Sequence, residues 1–177
     1  MSGPDKFSRF EQAILPHLDA AYNLARWLMR NEDEAADAVQ EACLRALRFI
    51  GGFRGGDGRT WLLAIVRNTC YSRLKRSALR ESETEFDDEL HSPESDTANP
   101  EVLLERGRDH ETLRHALEEL PEEFREIIVM RELEGMGYKA IADVAGVPLG
   151  TVMSRLARAR KRLQRSLTAA LPKRPLT

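Results

Sequence analysis

The sequence predicts an all-α protein made of two small helical domains, an N-terminal helical bundle and a C-terminal helix-turn-helix, joined by a flexible acidic linker. Three observations lead there. Ala, Leu, Glu and Arg dominate the chain while aromatic residues make up only 6% of it, which favours helices and leaves little for a large sheet core. Apolar residues recur at three- and four-residue spacing along both ends of the 177-residue chain. Residues 81–100, ESETEFDDELHSPESDTANP, interrupt that pattern with acids, Ser, Thr and two prolines. Such a stretch cannot bury enough apolar surface to offset the entropy of ordering it.

In the first block, Pro16 opens a helical pattern that runs to about residue 30, with Leu18, Tyr22, Ala25 and Met29 on one face, and Asn31 breaks it. A second helix covers about residues 32–50, with acids in its first turn and Gly51-Gly52 at its end. Ala36, Val39, Cys43, Leu44, Leu47 and Ile50 can form its core face. The loop FRGGDG follows, and a third helix spans about residues 60–76. Three such helices suffice for a small bundle. In the second block, Asn99-Pro100 suits a cap and first turn, and a helix follows to about residue 120 with a break near Gly107. Pro121 starts another that stops at Gly135, and two more cover about residues 138–145 and 149–167. The domains are therefore read as residues 1–80 and 106–177, with residues 81–105 as linker.

The net charge of −2 hides a strong pattern. Residues 1–80 hold thirteen Lys and Arg against nine acids, and residues 106–177 hold fourteen against ten, a balance of +4 at each end. Residues 81–105 hold ten acids and no Lys or Arg. Two basic blocks around an acidic spacer point to nucleic acid at both ends. Other classes fall away. No run of eighteen apolar residues and no signal-peptide core occurs, so the protein is expected in the cytosol without membrane insertion. Cys43 and Cys70 stand far apart, and His110 and His115 do not share a helix face, so no metal and no other cofactor is expected. Nothing resembles a nucleophile–base pair, and the Gly51-Gly52 and Gly55-Gly56 pairs lack a phosphate-loop Lys, so no catalytic residue and no enzyme activity are expected.

The most specific local signal is YKAIADVAGVPLGTVMSRLARARKRL, residues 138–163. Ala142 and Gly146 are four apart, as a helix-turn-helix needs: a small residue where the helices cross and one tolerant of positive φ at the turn. Val152, Leu156, Ala159, Leu163 and Leu167 make one apolar stripe on the second helix. Its other faces carry Arg155, Arg158, Arg160, Lys161, Arg162 and Arg165, with no acid between Leu149 and Ser166. A solvated face of an ordinary amphipathic helix is the plainer alternative, but six uncompensated bases directly after such a turn fit a DNA reader better. Leu149, Gly150, Thr151, Ser154 and Arg155 would face base edges, and Arg158, Lys161 and Arg162 follow along the same helix towards phosphates.

A second basic site lies on WLLAIVRNTCYSRLKR, residues 61–76. Arg67, Tyr71 and Lys75 repeat at four-residue spacing, with Asn68, Ser72 and Arg76 beside them. Interleaved aromatic, amide and basic groups suit an unstacked single strand. Trp61 is at least as well explained as core. On the preceding helix, Asp33, Asp37, Gln40 and Glu41 form an acidic and amide patch that by itself reads as a solvated face near a helix N-terminus.

Taken in order, DEAADAVQEACLRAL, FRGGDGRTWLLAIVRNTCYSRLKR, the acidic linker and LEELPEEFREIIVMRELEGMGYKAIADVAGVPLGTVMSRLARARKRL resemble the extracytoplasmic-function RNA polymerase sigma factors, in their minimal two-domain form. The resemblance implies a transcription initiation factor that binds core polymerase, reads duplex and unpaired promoter DNA and is held by an anti-sigma factor. It implies that Asp33, Asp37, Gln40 and Glu41 dock on polymerase, that Asn68 and the stretch from Tyr71 hold an unpaired −10 base, and that Ser154, Arg155 and Arg158 contact the −35 element. Ser72 stands where many members carry Asp, and Met153 where many carry Lys or Arg. A regulator that binds operator DNA without polymerase explains residues 121–167 but leaves residues 33–76 without a purpose. The charge blocks add the expectation that the acidic linker folds back over the basic helices when polymerase is absent.

Overall fold

The computed structural model describes residues 3–83 and 106–170, all of whose regular structure is helical. The first stretch contains α1 (Gly3–Ala13), α2 (Leu18–Met29), α3 (Glu32–Phe49) and α4 (Gly58–Glu83), with short 3-10 turns at Leu15–His17 and Ile50–Gly52. The second contains α5 (Arg106–Glu118), α6 (Glu122–Ile128) with a π-helical continuation at Val129–Leu133, α7 (Tyr138–Ala145) and α8 (Leu149–Ala170). The expected linker conformation, the Asn99-Pro100 start and the folding back of the acidic tract fall on residues 84–105, largely or wholly outside those described.

Helix α1 was not legible in the sequence; it seats Phe10 in the core, with Ile14 buried just after its end, and occupies ground that the composition assigned to no element. Pro16 belongs to the 3-10 turn rather than to α2. Helix α2 ends on Arg30, which adopts a left-handed φ of 60°, and Asn31 caps α3 by accepting the Glu34 backbone N–H at 3.0 Å. The core face of α3 differs from expectation. Ala35, Ala38, Ala42 and Ala46 are fully buried, whereas Ala36 is exposed and Leu44 is 64% exposed. Val39, Cys43 and Leu47 pack at the edges. The reason is spacing: α2, α3 and α4 all pack on one another, and a stripe of single methyl groups on α3 lets the three helices approach where leucines would hold them apart.

Helix α4 is longer than its apolar pattern suggested, starting two residues earlier and continuing to Glu83. Asp57 starts it: one carboxylate oxygen accepts the Arg59 N–H at 3.0 Å and the other the Thr60 hydroxyl at 2.6 Å. The Thr60 bond, and then the backbone N–H groups and Arg59, hold this carboxyl below its ordinary pKa against a partial burial penalty. Gly58 is required here, because a Cβ would run into the Ala13 carbonyl. Trp61 is half-buried, 5.2 Å from the Phe53 ring. Cys70 is fully buried and its thiol is pushed up to about 12 by desolvation, an inert core residue.

The two halves do not stand apart. Buried side chains of residues 10–70 and 117–159 belong to one continuous apolar cluster, with α4 packed on α7 and α2 on α6.

Candidate nucleic-acid and polymerase interfaces

The helix-turn-helix forms as the residues predicted. Gly146 has φ 68° and donates its N–H to Ala142 O at 2.9 Å, ending α7, and α8 leaves at 99° to it. Ile141, Ala145 and Val152 are buried and Val147 half-buried at the crossing. Val152, Leu156 and Ala159 face α6, with Leu163 and Leu167 half-buried further along. The outward surface holds Leu149, Gly150, Ser154, Arg158, Lys161 and Arg162 exposed, with Thr151 and Arg155 at its margin. Three of the six bases are engaged. Arg155 lies 3.9 Å from Glu123, Arg160 bonds Glu132 Oε1 at 2.6 Å, and the Arg162 guanidinium sits 5.0 Å from the Phe124 ring centre. Arg158, Lys161 and Arg165 have no acidic partner among the described residues, so their charge is directed at solvent or at a phosphate.

On α4 the six predicted residues divide between two faces. Asn68, Ser72, Lys75 and Arg76 are exposed and lie together along one side. Arg67 and Tyr71 turn instead toward α6. Arg67 makes a two-pronged bond to Glu126, Nε to Oε2 at 2.9 Å and Nη2 to Oε1 at 3.2 Å, and its guanidinium lies 4.0 Å from the Tyr71 ring centre. Glu126 is fully buried; desolvation raises its pKa, and the bond to Arg67 opposes that rise. Burial, and then the charge of Glu126, raise the Tyr71 phenol well above its ordinary value, and its enclosed hydroxyl lies beside Glu126 and Arg67.

Beside this pair sits Arg125, also fully buried. It donates to Leu117 O at 3.1 Å, Glu118 O at 3.2 Å and Leu120 O at 2.6 Å, and to Trp27 O of α2 at 3.0 Å. It therefore satisfies the open carbonyls at the end of α5 and ties them to α2. Its pKa is lowered, first by burial and then by Arg30. Neither Arg125 nor Glu126 was singled out from sequence. The available signal was two adjacent charges inside the apolar run of FREIIVM.

On α3, Asp33, Asp37 and Gln40 are exposed along one face, while Glu41 is half-buried. Glu41 bonds Arg45 at 3.0 Å and Arg73 of α4 at 2.9 Å, with Arg76 3.8 Å away. It thereby links the acidic face of α3 to the basic face of α4.

An all-helical chain with an exposed cationic helix-turn-helix and a second basic helix carrying aromatic and amide groups belongs to the class of DNA-binding transcription proteins. Residues 13–80 match the family model for Sigma-70 region 2, and residues 110–163 match that for Sigma-70 region 4. The chain is 32% identical over 170 residues to the RNA polymerase sigma-H factor of Pseudomonas aeruginosa, covering 92% of this chain and 88% of that one. It is 33% identical over 155 residues to the ECF RNA polymerase sigma factor SigE of Mycolicibacterium smegmatis, covering 88% of this chain and spanning 60% of that relative. Its fold is similar to that of the sigma factor RpoE of Bartonella quintana, solved with the anti-sigma factor NepR, with a TM-score of 0.72, 27% identity, and coverage of 92% and 98%. The chain belongs to the extracytoplasmic-function RNA polymerase sigma factors. Its function is transcription initiation with core RNA polymerase at promoters, and the region 2 match accounts for the N-terminal half that a simple operator-binding regulator left unexplained. No single helix among the described residues is long and apolar enough to cross a membrane.

Proposed function

We propose that three surfaces of this chain divide the work of initiation, by binding and without a catalytic residue. Residues 106–177 form the unit that reads the −35 element: Leu149, Gly150, Thr151, Ser154 and Arg155 meet base edges, and Arg158, Lys161 and Arg162 meet the bases or phosphates beside them. Residues 1–80 form the other unit. Asn68, Ser72, Lys75 and Arg76, joined by Arg67 and Tyr71, hold the unpaired −10 strand, and trapping a base there offsets an unstacking cost of roughly a few kcal/mol. Asp33, Asp37, Gln40 and Glu41 dock on core polymerase, whose clamp must then be basic to match them. Residues 81–105 tether the two readers, so neither needs to bind tightly alone. The protein acts in the cytoplasm, and an anti-sigma factor, the kind of partner seen with the similar RpoE, covers these surfaces.

The observation that carries the reading is the outward face of α8, where Arg158, Lys161 and Arg165 stand without acidic partners among the described residues, further along the helix from the exposed Leu149, Gly150 and Ser154. Run-off transcription with bacterial core polymerase and a pool of promoter fragments tests it. Factor-dependent initiation at a discrete subset of templates is expected. Transcripts that are identical with and without the protein would overturn it, and co-purification with core polymerase would then separate a missing promoter from a failure to dock.

A further inference from the structure

Helix α8 carries apolar side chains in two settings. Val152, Leu156 and Ala159 are buried, on the side that packs against α6. Leu149, Met153 and Ala157 follow one another at four-residue spacing beside that stripe, and all three are exposed, Leu149 at 48% and Met153 at 53%. The same spacing continues into Lys161 and Arg165, both exposed and without an acidic partner among the described residues. One row along the helix therefore runs Leu, Met, Ala, Lys, Arg. It is apolar in its first half and cationic in its second.

A single exposed Leu or Met needs no explanation. Three in a row, edged by the exposed Gly150, Ser154 and Arg158, are a surface with a shape. The steps from Leu149 to Ala157 cover about 12 Å of helix axis at ~1.5 Å per residue. That length matches the ~12 Å width of the major groove. It faces three or four base pairs at ~3.4 Å each. Lys161 and Arg165 lie further along the axis, where a helix leaving the groove meets phosphates.

The chemistry of the row selects what it meets inside the groove. Guanine offers two acceptors there, adenine an acceptor and a donor, and cytosine a donor, and each is left unpaired against a side chain that has no polar hydrogen. Thymine alone presents an apolar group, its C5-methyl. The unbranched thioether of Met153 can adjust to such a methyl, and Leu149 and Ala157 add carbon on either side of it.

We propose that Leu149, Met153 and Ala157 are specificity-determining residues that read thymine C5-methyl groups, so that this chain favours T·A pairs at the steps of the −35 duplex facing them. The inference rests on the assignment of α8 to the −35 element and adds to it the kind of base that is read. An apolar protein partner fits the row less well, because the two free cations that continue it suit a polyanion.

The test uses the full-length chain assembled with bacterial core polymerase, and promoter duplexes that this complex recovers from a pool randomised over the −35 segment. Neighbouring T·A pairs are expected among the recovered −35 sequences, and a set with G·C at every preferred position overturns the proposal. Each −35 thymine of one recovered promoter is then replaced singly by deoxyuridine, which lacks only the C5-methyl, and affinity is read by competition. At one or more positions a loss of about fourfold is expected, which corresponds to about 0.8 kcal/mol. Met153→Ala is expected to bind the thymine duplex as weakly as the unaltered chain binds the deoxyuridine duplex, and to lose nothing further from that replacement. Its thermal melt should match that of the unaltered chain, because Met153 is exposed. Deoxyuridine tolerated at every position overturns the proposal, as does a methyl effect that survives in both Met153→Ala and Leu149→Ala. Arg158→Ala separates the two readings. Weakened binding by that variant, with no response to any methyl, keeps the −35 assignment and removes the thymine reading. Unchanged binding together with no preferred −35 sequence removes both.

Discussion

Helices α8 and α4 are the two basic helices of this protein, and by sequence they look alike: Arg and Lys at helical spacing, flanked by Ser and small or aromatic residues. In the fold their situations differ. On α8 most cations point outward; Arg160 meets Glu132 at 2.6 Å in the open, and the half-buried Arg155 lies 3.9 Å from an exposed Glu123. On α4 four of the six residues are exposed, while Arg67 and Tyr71 are held beside Glu126 of α6. Exposed pairs are weak and exchange readily with water or phosphate, whereas a desolvated pair holds its geometry and is costly to break by halves. The cations of α8 are therefore the more readily exchanged, while the Arg67–Glu126 pair is the more firmly fixed.

The largest test of that contrast is Arg125→Ala. It removes a donor from four carbonyls, of which Leu117 O keeps the Leu120 N–H and Glu118 O keeps Arg30, and loosens the tie of α5 and α6 to α2. Buried acceptors left unpaired cost roughly 1–3 kcal/mol each, so a loss of about 3 kcal/mol or more is expected by urea denaturation. A change near zero would mean that the tie does not depend on it. Next comes Arg158→Ala on the open face. Fluorescence anisotropy with duplex promoter should show about 1–3 kcal/mol of lost binding if the residue reads a base, with unfolding unaffected.

Asp57→Ala acts on the start of α4 alone. Loss of the cap is expected to cost about 1 kcal/mol, read by thermal unfolding, with faster amide exchange over the first turn of α4 and none of that increase in α8. Because the Asp57 pKa is lowered in the fold, its contribution is present above the ordinary carboxylate range and is lost as pH falls through the folded value. Acid titration followed by amide exchange should reproduce the effect of the substitution. The smallest effect belongs to Glu132→Gln, which frees Arg160 on the exposed face. Melting temperature should stay unchanged while nonspecific duplex affinity rises slightly; a clear loss of stability would show that the α8 face is less open than its exposure indicates.

How far the sequence was legible varies along the chain. The helix-turn-helix was readable to the residue, since Tyr138–Ala145 and the start of α8 at Leu149 follow from Pro148, Gly146 and a strong local period. Helix α3 was located well, but its core face is centred on Ala35, Ala38, Ala42 and Ala46, with the expected Val39, Cys43 and Leu47 at its edge and Ala36 and Leu44 outside it, because which stripe is buried depends on the helices packed against it. Helix α1 was missed, since so polar a segment shows its apolar face only once Phe10 and Ile14 have somewhere to pack. Of the candidate site residues, those on α8 and the Asp33, Asp37 and Gln40 face are where an exposed helix would put them. Glu41, Arg67 and Tyr71 carry partners that no local rule supplies.

The sequence by itself determined the helical class, the separation into two basic blocks, the turn at Gly146 and the family, because each depends on residues close together in the chain or on their order. Only the tertiary structure decided which of the basic side chains are free. Glu126 lies 59 residues from Arg67, and Glu134 lies 111 from Asn23. Whether a charge is spent inside the protein or offered to DNA depends on which distant groups packing brings beside it and on how much water remains there.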